Sequence, residues 1–181
     1  MKTQPAGPFA PSGTTRKHEP GNAPRYFHDG SSARTCYLQH TPLSLRYRLI
    51  AVFVDTGAWF AYFVRRDPDH RVATAWMRRN RQPLVTTDDI LDELLTLLKM
   101  RENYRVAVAA GEALWQQRVA RIEHVTLEDI ARAWEVFRQY HDKDWSFTDC
   151  TSKVIMERLR MTHAFAFDSH FEQFSTVIRV P

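Results

Sequence analysis

The stretch Leu49-Ile50-Ala51-Val52-Phe53-Val54-Asp55-Thr56 decides the reading of this chain. Five consecutive apolar residues, Ile50 to Val54, run straight into one aspartate. A short apolar run rich in β-branched residues reads as a strand buried on both faces, which is the habit of a parallel sheet. Asp55 then stands where the strand ends, and in open parallel α/β sheets ligands bind outside the carboxyl ends of the strands. Two readings of Asp55 follow. It caps the helix after it, since Asp and Thr are both good N-caps, or it is a metal ligand. The choice depends on whether other carboxylates arrive at equivalent places.

Working outward, residues 1–48 hold six of the nine prolines and four of the six glycines, with apolar residues scattered without period. Such a composition buries too little surface to offset the entropy of ordering. The expectation is a disordered N-terminal extension over 1–48 and one folded domain over 49–181. No apolar h-region of a secretory signal follows the early basic residues. The segment has a faint likeness to an organellar transit peptide, and translation starting near Leu49 is an open alternative. The charge divides at the same place. Residues 1–48 carry seven Lys/Arg against two acids, leaving 18 basic and 19 acidic side chains in the remainder. The pI of 9.3 therefore reflects the first segment and does not by itself make the domain a nucleic-acid binder. No apolar run reaches the length of a membrane span. Cys36 and Cys150 form neither a metal-spaced pair nor a disulfide framework, so a reducing cytoplasm is expected.

Past Asp55 the pattern alternates. Ala58–Val64 reads as a short helix. Asp67-Pro68 reads as the start of the next, with apolar Val72, Ala75 and Trp76 and a basic end at Arg78, Arg79 and Arg81. Those arginines complement a helix C-terminus and are also candidate RNA contacts, together with Arg65 and Arg66. Pro83–Thr86 reads as a strand. Thr86 and Asp89 then stand at capping-box spacing and open a helix to Arg101, whose buried face is Ile90, Leu91, Leu94, Leu95, Leu97 and Leu98. On that helix Asp92 falls opposite the core, and Glu93 falls at its edge, near the N-terminus. Asn103–Val119 reads as a helix through Val106, Val108, Ala110, Leu114 and Trp115, and Ile122–Thr126 as a strand. A capping-box helix from Thr126 to Tyr140 is expected to bury Ile130, Ala133, Trp134 and Phe137. Ser146 and Asp149 open another helix through Val154, Ile155 and Leu159, with Asp144 in the loop before it. His163–Asp168 reads as a strand ending in an aspartate, as the first does. Ser169–Phe174 is a helical turn, and Val177–Val180 a last strand. Strands alternating with helices call for an α/β/α sandwich on a mainly parallel sheet of four or five strands.

Asp55, Glu93, Asp149 and Asp168 can thus converge on one sheet edge. Four unpaired carboxylates held together repel and raise one another's pKa values. A divalent cation relieves this, and an oxygen-only set favours Mg²⁺ or Mn²⁺ over zinc. A phosphoaspartyl protein is disfavoured, because Gly57 stands where a second acid is needed and Lys153 lies inside a helix.

Four segments carry a resemblance: Val52-Phe-Val-Asp55-Thr56-Gly-Ala-Trp59, Thr86-Thr-Asp-Asp-Ile-Leu-Asp-Glu93, Ser146-Phe-Thr148-Asp149-Cys150, and Ala164-Phe-Ala-Phe-Asp168-Ser-His-Phe171. In this order they resemble the PIN-domain ribonucleases, in particular the VapC-type toxins of bacterial toxin–antitoxin pairs. The departure is the 48-residue extension, since such toxins usually begin almost at the first strand. The resemblance implies a Mg²⁺- or Mn²⁺-dependent endoribonuclease in which Asp55 and Asp149 are the principal metal ligands. Glu93 and Asp168 would complete the pocket, with Thr56, Thr148 and Asp144 as outer-shell helpers. It also implies structured RNA, such as tRNA or rRNA, as substrate, a cognate antitoxin as inhibitor, and a homodimer. Trp59 and Trp145 are candidate base-stacking residues, though burial in the core suits both. The alternative is a PIN-like module that binds RNA or protein without catalysis.

Overall fold

The computed structural model describes residues 50–174 and 177–181. The expected extension over 1–48 lies outside the described residues. Five strands form one all-parallel sheet: β1 (Val52–Val54), β2 (Leu84–Thr87), β3 (Arg121–Glu123), β4 (His163–Phe165) and β5 (Ile178–Val180), in the order β3-β2-β1-β4-β5. Six helices connect them: α1 (Thr56–Phe63), α2 (His70–Arg79), α3 (Asp88–Arg101), α4 (Tyr104–Trp115), α5 (Leu127–Gln139) and α6 (Phe147–Leu159). A 3₁₀ turn, Ser169–Gln173, joins β4 to β5. This is the expected α/β sandwich, and the sheet is parallel throughout.

All three β1 residues are fully buried, as a central strand covered on both faces must be. The strand order explains why this matters for function. The chain winds outward from β1 through β2 to β3, then returns to the other side of β1 for β4 and β5. The carboxyl ends of β1 and β4 therefore flank the topological switch point, where open α/β sheets leave a crevice.

Several boundaries differ from expectation, for local reasons. Asp67 does not cap α2. Its carboxylate accepts from the Asp69 N–H at 2.9 Å, an Asx turn, and the helix begins at His70. Thr87, not Thr86, caps α3, accepting from the Ile90 N–H at 3.2 Å. Thr86 is instead buried between elements: it accepts from Trp59 Nε1 at 3.2 Å and donates to the Val54 carbonyl at 3.1 Å. Counted from Asp88, Glu93 is the sixth residue of α3, in its second turn rather than the first. Helix α4 stops at Trp115, before Gln117 takes a left-handed φ of 51°. Strand β3 ends at Glu123, which frees Thr126 to cap α5 in the expected capping box with Asp129. Strand β4 ends at Phe165, so Asp168 lies three residues beyond it.

Two apolar stripes are also turned relative to expectation. In α4 the buried residues are Ala107, Ala110 and Leu114, while Val108 and Trp115 are exposed. In α5 only Ala133 of the expected four is buried; Trp134 is 53% exposed and stacks on Phe137, itself exposed. The cause in α5 is Asp129, buried against the guanidinium of Arg158 with Nε–Oδ1 at 3.0 Å. A paired acid takes the inward face that periodicity assigns to carbon.

Candidate active site

Each acidic residue reaches the crevice by a local device. Asp55 follows β1 directly, and its backbone N–H bonds the Phe165 carbonyl of β4 at 3.1 Å, fixing the strand end. Its Oδ2 accepts from the Gly57 N–H at 3.0 Å, so it is the N-cap of α1. Glycine suits position 57, where an added Cβ would stand 3.3 Å from that oxygen. Glu93 Oε2 accepts from the Thr56 hydroxyl at 2.6 Å. Asp149 sits at the third position of α6 in the expected capping box: its Oδ2 accepts from the Ser146 N–H at 2.7 Å, and Ser146 Oγ accepts from the Asp149 N–H at 3.0 Å. One oxygen of each carboxylate is thereby tethered and its rotamer fixed.

These residues line a cleft of about 460 Å³. Asp144, Asp168 and His170 share its lining, as do Asp67 and Asp69 from the α1–α2 connection and Arg101 from the end of α3. Asp168 is at the rim, its side chain 47% exposed, capping the 3₁₀ turn through the His170 N–H at 2.9 Å. The electrostatics single out Asp55. Burial, and then the neighbouring Asp149 carboxylate, push its pKa up to about 7, with Glu93 adding to the rise and the Gly57 and Thr56 N–H groups opposing it. Cys150, next to Asp149, is a buried thiol pushed up to about 11 by burial first and Asp149 second, which leaves it unreactive.

The donor set fits a hard divalent cation. Its carboxylates offer only oxygen, and Asp149 and Glu93 add to the rise that burial causes at Asp55, a repulsion that a divalent cation relieves. Among the described residues, no three His, Cys, Asp or Glu side chains are gathered to chelate an ion by themselves.

Other sequence-derived candidates fall elsewhere. Arg78, Arg79 and Arg81 close α2 just before β2, hence at the amino edge of the sheet, across from the cleft. Arg81 donates to the carbonyls of Arg78 at 2.9 Å and Asn80 at 3.1 Å, the helix-end role of a basic residue. Arg101 lines the cleft; Arg66 pairs with Glu102 at 2.7 Å and bonds the Arg101 carbonyl. Thr148 does not line the cleft, and its carbonyl accepts from the Thr151 hydroxyl. Trp59 and Trp145 are both buried. Sequence reasoning missed Asp67, Asp69 and His170 as lining residues. His170 had a visible signal, two positions after Asp168 in a turn.

A parallel α/β domain with tethered carboxylates at its switch point is a class of fold and site. Comparison with known proteins narrows it. The PIN domain family model matches residues 52–176. The 23S rRNA-specific endonuclease VapC20 of Mycobacterium tuberculosis strain H37Rv is 35% identical over 120 residues, spanning 66% of this chain and 91% of that protein. A VapC ribonuclease of Archaeoglobus fulgidus is 31% identical over 132 residues, spanning 67% and 80%. The crystal structure of VapC20, described as a Sarcin-Ricin loop cleaving toxin, superposes with a TM-score of 0.66 at 33% identity, covering 70% of this chain and 96% of that one. FitAcB of Neisseria gonorrhoeae shares the fold, with a TM-score of 0.54 at 17% identity. The chain belongs to the PIN-domain family, as a ribonuclease toxin of the VapC type.

Proposed function

We propose that this protein is a Mg²⁺- or Mn²⁺-dependent endoribonuclease toxin that hydrolyses phosphodiester bonds of structured RNA. Ribosomal RNA is the first substrate to test, because the relative VapC20 is named for 23S rRNA. The observation that carries the reading is the convergence of Asp55, Glu93 and Asp149 in one cleft at the switch point, with Asp168 at its rim. Asp55 and Asp149 would hold the cation, Glu93 directly or through water, and Asp168 from the rim. When bound, the cation supplies activation of water and stabilisation of charge growing at phosphorus.

The chain's own residues do the positioning. The Thr56 hydroxyl and the Ser146 N–H tether one oxygen of Glu93 and of Asp149, which leaves Oε1 and Oδ1 for ligation. Arg101, in the cleft lining, would draw in the RNA backbone, with Arg66 bonded to its carbonyl. Water adds to phosphorus and the bond to the 3′ oxygen breaks, giving a 5′-phosphate and a 3′-hydroxyl. A cognate antitoxin that covers the cleft and a homodimeric assembly belong to the same reading. So does a cytoplasmic site of action; among the described residues no helix is long and apolar enough to cross a membrane.

The test is cleavage of purified ribosomal and total RNA by the full chain, with Mg²⁺, with Mn²⁺ and with EDTA, and mapping of the 5′ ends. Discrete cuts that vanish with EDTA and in Asp55→Asn are expected. Equal cutting by Asp55→Asn overturns the assignment of the site. Absence of cutting under every condition favours the non-catalytic binding module.

A further inference from the structure

His170 stands between two of the acids and makes no hydrogen bond through its inward nitrogen. Its Nδ1 lies 3.4 Å from Asp149 Oδ2 and 3.4 Å from Asp168 Oδ1. Both are a few tenths of an ångström beyond a good N–H···O bond. The atom is buried and has no hydrogen-bond partner among the described residues. A buried polar nitrogen left unpaired is destabilising, so such an atom calls for a reason. The ring is not there by accident of a loose loop. Asp168 Oδ1 holds the His170 backbone N–H at 2.9 Å. The next residue, Phe171, is fully buried, packing against Phe53 of β1 at 6.3 Å and Phe174 at 4.9 Å between ring centroids. Phe174 meets Trp145 edge-on at 5.2 Å, one residue before the Ser146 cap of α6. One aromatic cluster therefore fixes both the imidazole and the helix start that carries Asp149.

We propose that His170 is a positioning residue: its Nδ1–H closes onto the Asp149 and Asp168 carboxylates and sets the cleft's affinity for a divalent cation. In this role the ring acts through the two carboxylates, not as a ligand itself. With the Ser146 N–H already on Asp149 Oδ2, a second donor at the same oxygen fixes the carboxylate and presents Oδ1 to the cleft. Partners of this kind change metal affinity or activity by about 10–100-fold when removed. The inference rests on the cation-dependent reading of the cleft, and its test separates the two.

The experiment compares His170→Asn, His170→Gln and His170→Leu in the full chain. The asparagine amide nitrogen can occupy the place of Nδ1, whereas the glutamine amide reaches toward Nε2. Mn²⁺ affinity is measured by titration calorimetry without RNA, alongside RNA cleavage and the melting temperature of the metal-free protein. The expected result is a roughly 10–100-fold weaker Mn²⁺ affinity in the Gln and Leu variants, with Asn within about threefold of the unmodified chain. Cleavage should follow metal affinity and recover at saturating Mn²⁺. Equal affinity in all variants, or Asn as weak as Leu, overturns the proposal, as does an unmodified chain that binds no Mn²⁺. If the Leu variant fails to fold, the Asn–Gln pair still decides. A chain that binds Mn²⁺ in this pattern but never cuts RNA refutes the nuclease reading and leaves His170 in its role.

Discussion

Asp55 is both of the things a sequence reader has to choose between. It caps α1 through the Gly57 N–H and lines the cleft beside Asp149 and Glu93. The double role has a cost in the absence of metal. With the folded carboxyl near pH 7 against an ordinary 3.8, the folded state holds a proton that the unfolded chain has lost. The metal-free protein is therefore expected to lose stability as pH rises from about 4 to about 7, by up to roughly 4 kcal/mol. Melting scans across that range, with and without Mg²⁺, check it; Mg²⁺ should flatten the slope. Asp55→Asn keeps an acceptor for Gly57 and removes the charge, so it should raise the metal-free melting temperature at pH 8 while abolishing cleavage. Thr56 gives a milder case. Thr56→Val takes the 2.6 Å donor from Glu93 and is expected to lower kcat/KM by about tenfold at a stability cost near 1 kcal/mol, while Thr56→Ser restores both. Asp55 was legible because a single charge ended an apolar run. His170 was legible only in part: its place two positions after Asp168 could be read, but not its approach to Asp149, 21 positions earlier in the chain.

Two elements carry the same capping box in different surroundings. Helix α5 starts at Thr126 with Asp129, and α6 starts at Ser146 with Asp149. Only the second faces the cleft. Ser146→Ala and Thr126→Ala should each cost about 1 kcal/mol by denaturant titration. Only Ser146→Ala should also lower cleavage, because it loosens Asp149. Equal activity in both variants would show that the cap does not position the acid. Both boxes were readable as Ser/Thr-x-x-Asp in the sequence, and so were nearly all the helices and strands. What failed was the facing of α4 and α5. Periodicity places charge outside, yet Asp129 is buried and Trp134 exposed, and only the partner Arg158, 29 positions away in the chain, explains the turn of the helix.

At the level of the whole molecule, Arg158 is the charged tie between elements. From α6 it pairs with Asp129 of α5 and with Glu123 of β3, each at 3.0 Å. Arg158→Met leaves a buried acid unpaired and should cost about 2–3 kcal/mol, discounted for the partly exposed guanidinium, or roughly 6–12 °C in melting temperature. The double variant Arg158→Met with Asp129→Asn removes the uncompensated charge and keeps an oxygen for the Thr126 cap, so it should recover part of that loss, and neither variant should alter RNA cleavage at 20 °C. The strand order, by contrast, could not be read from the sequence, because repeated strand–helix units fit several parallel orders. It has a consequence for how the molecule can be taken apart. The order β3-β2-β1-β4-β5 makes the crevice a seam between two blocks of chain, with Asp55 and Glu93 in one and Asp149 and Asp168 in the other. A chain cut between Val125 and Thr126 yields two fragments that each carry half of the acids. Such a pair would make a split reporter, since the seam is whole only when the fragments meet, and RNA cleavage on co-expressing the two halves would read out their meeting.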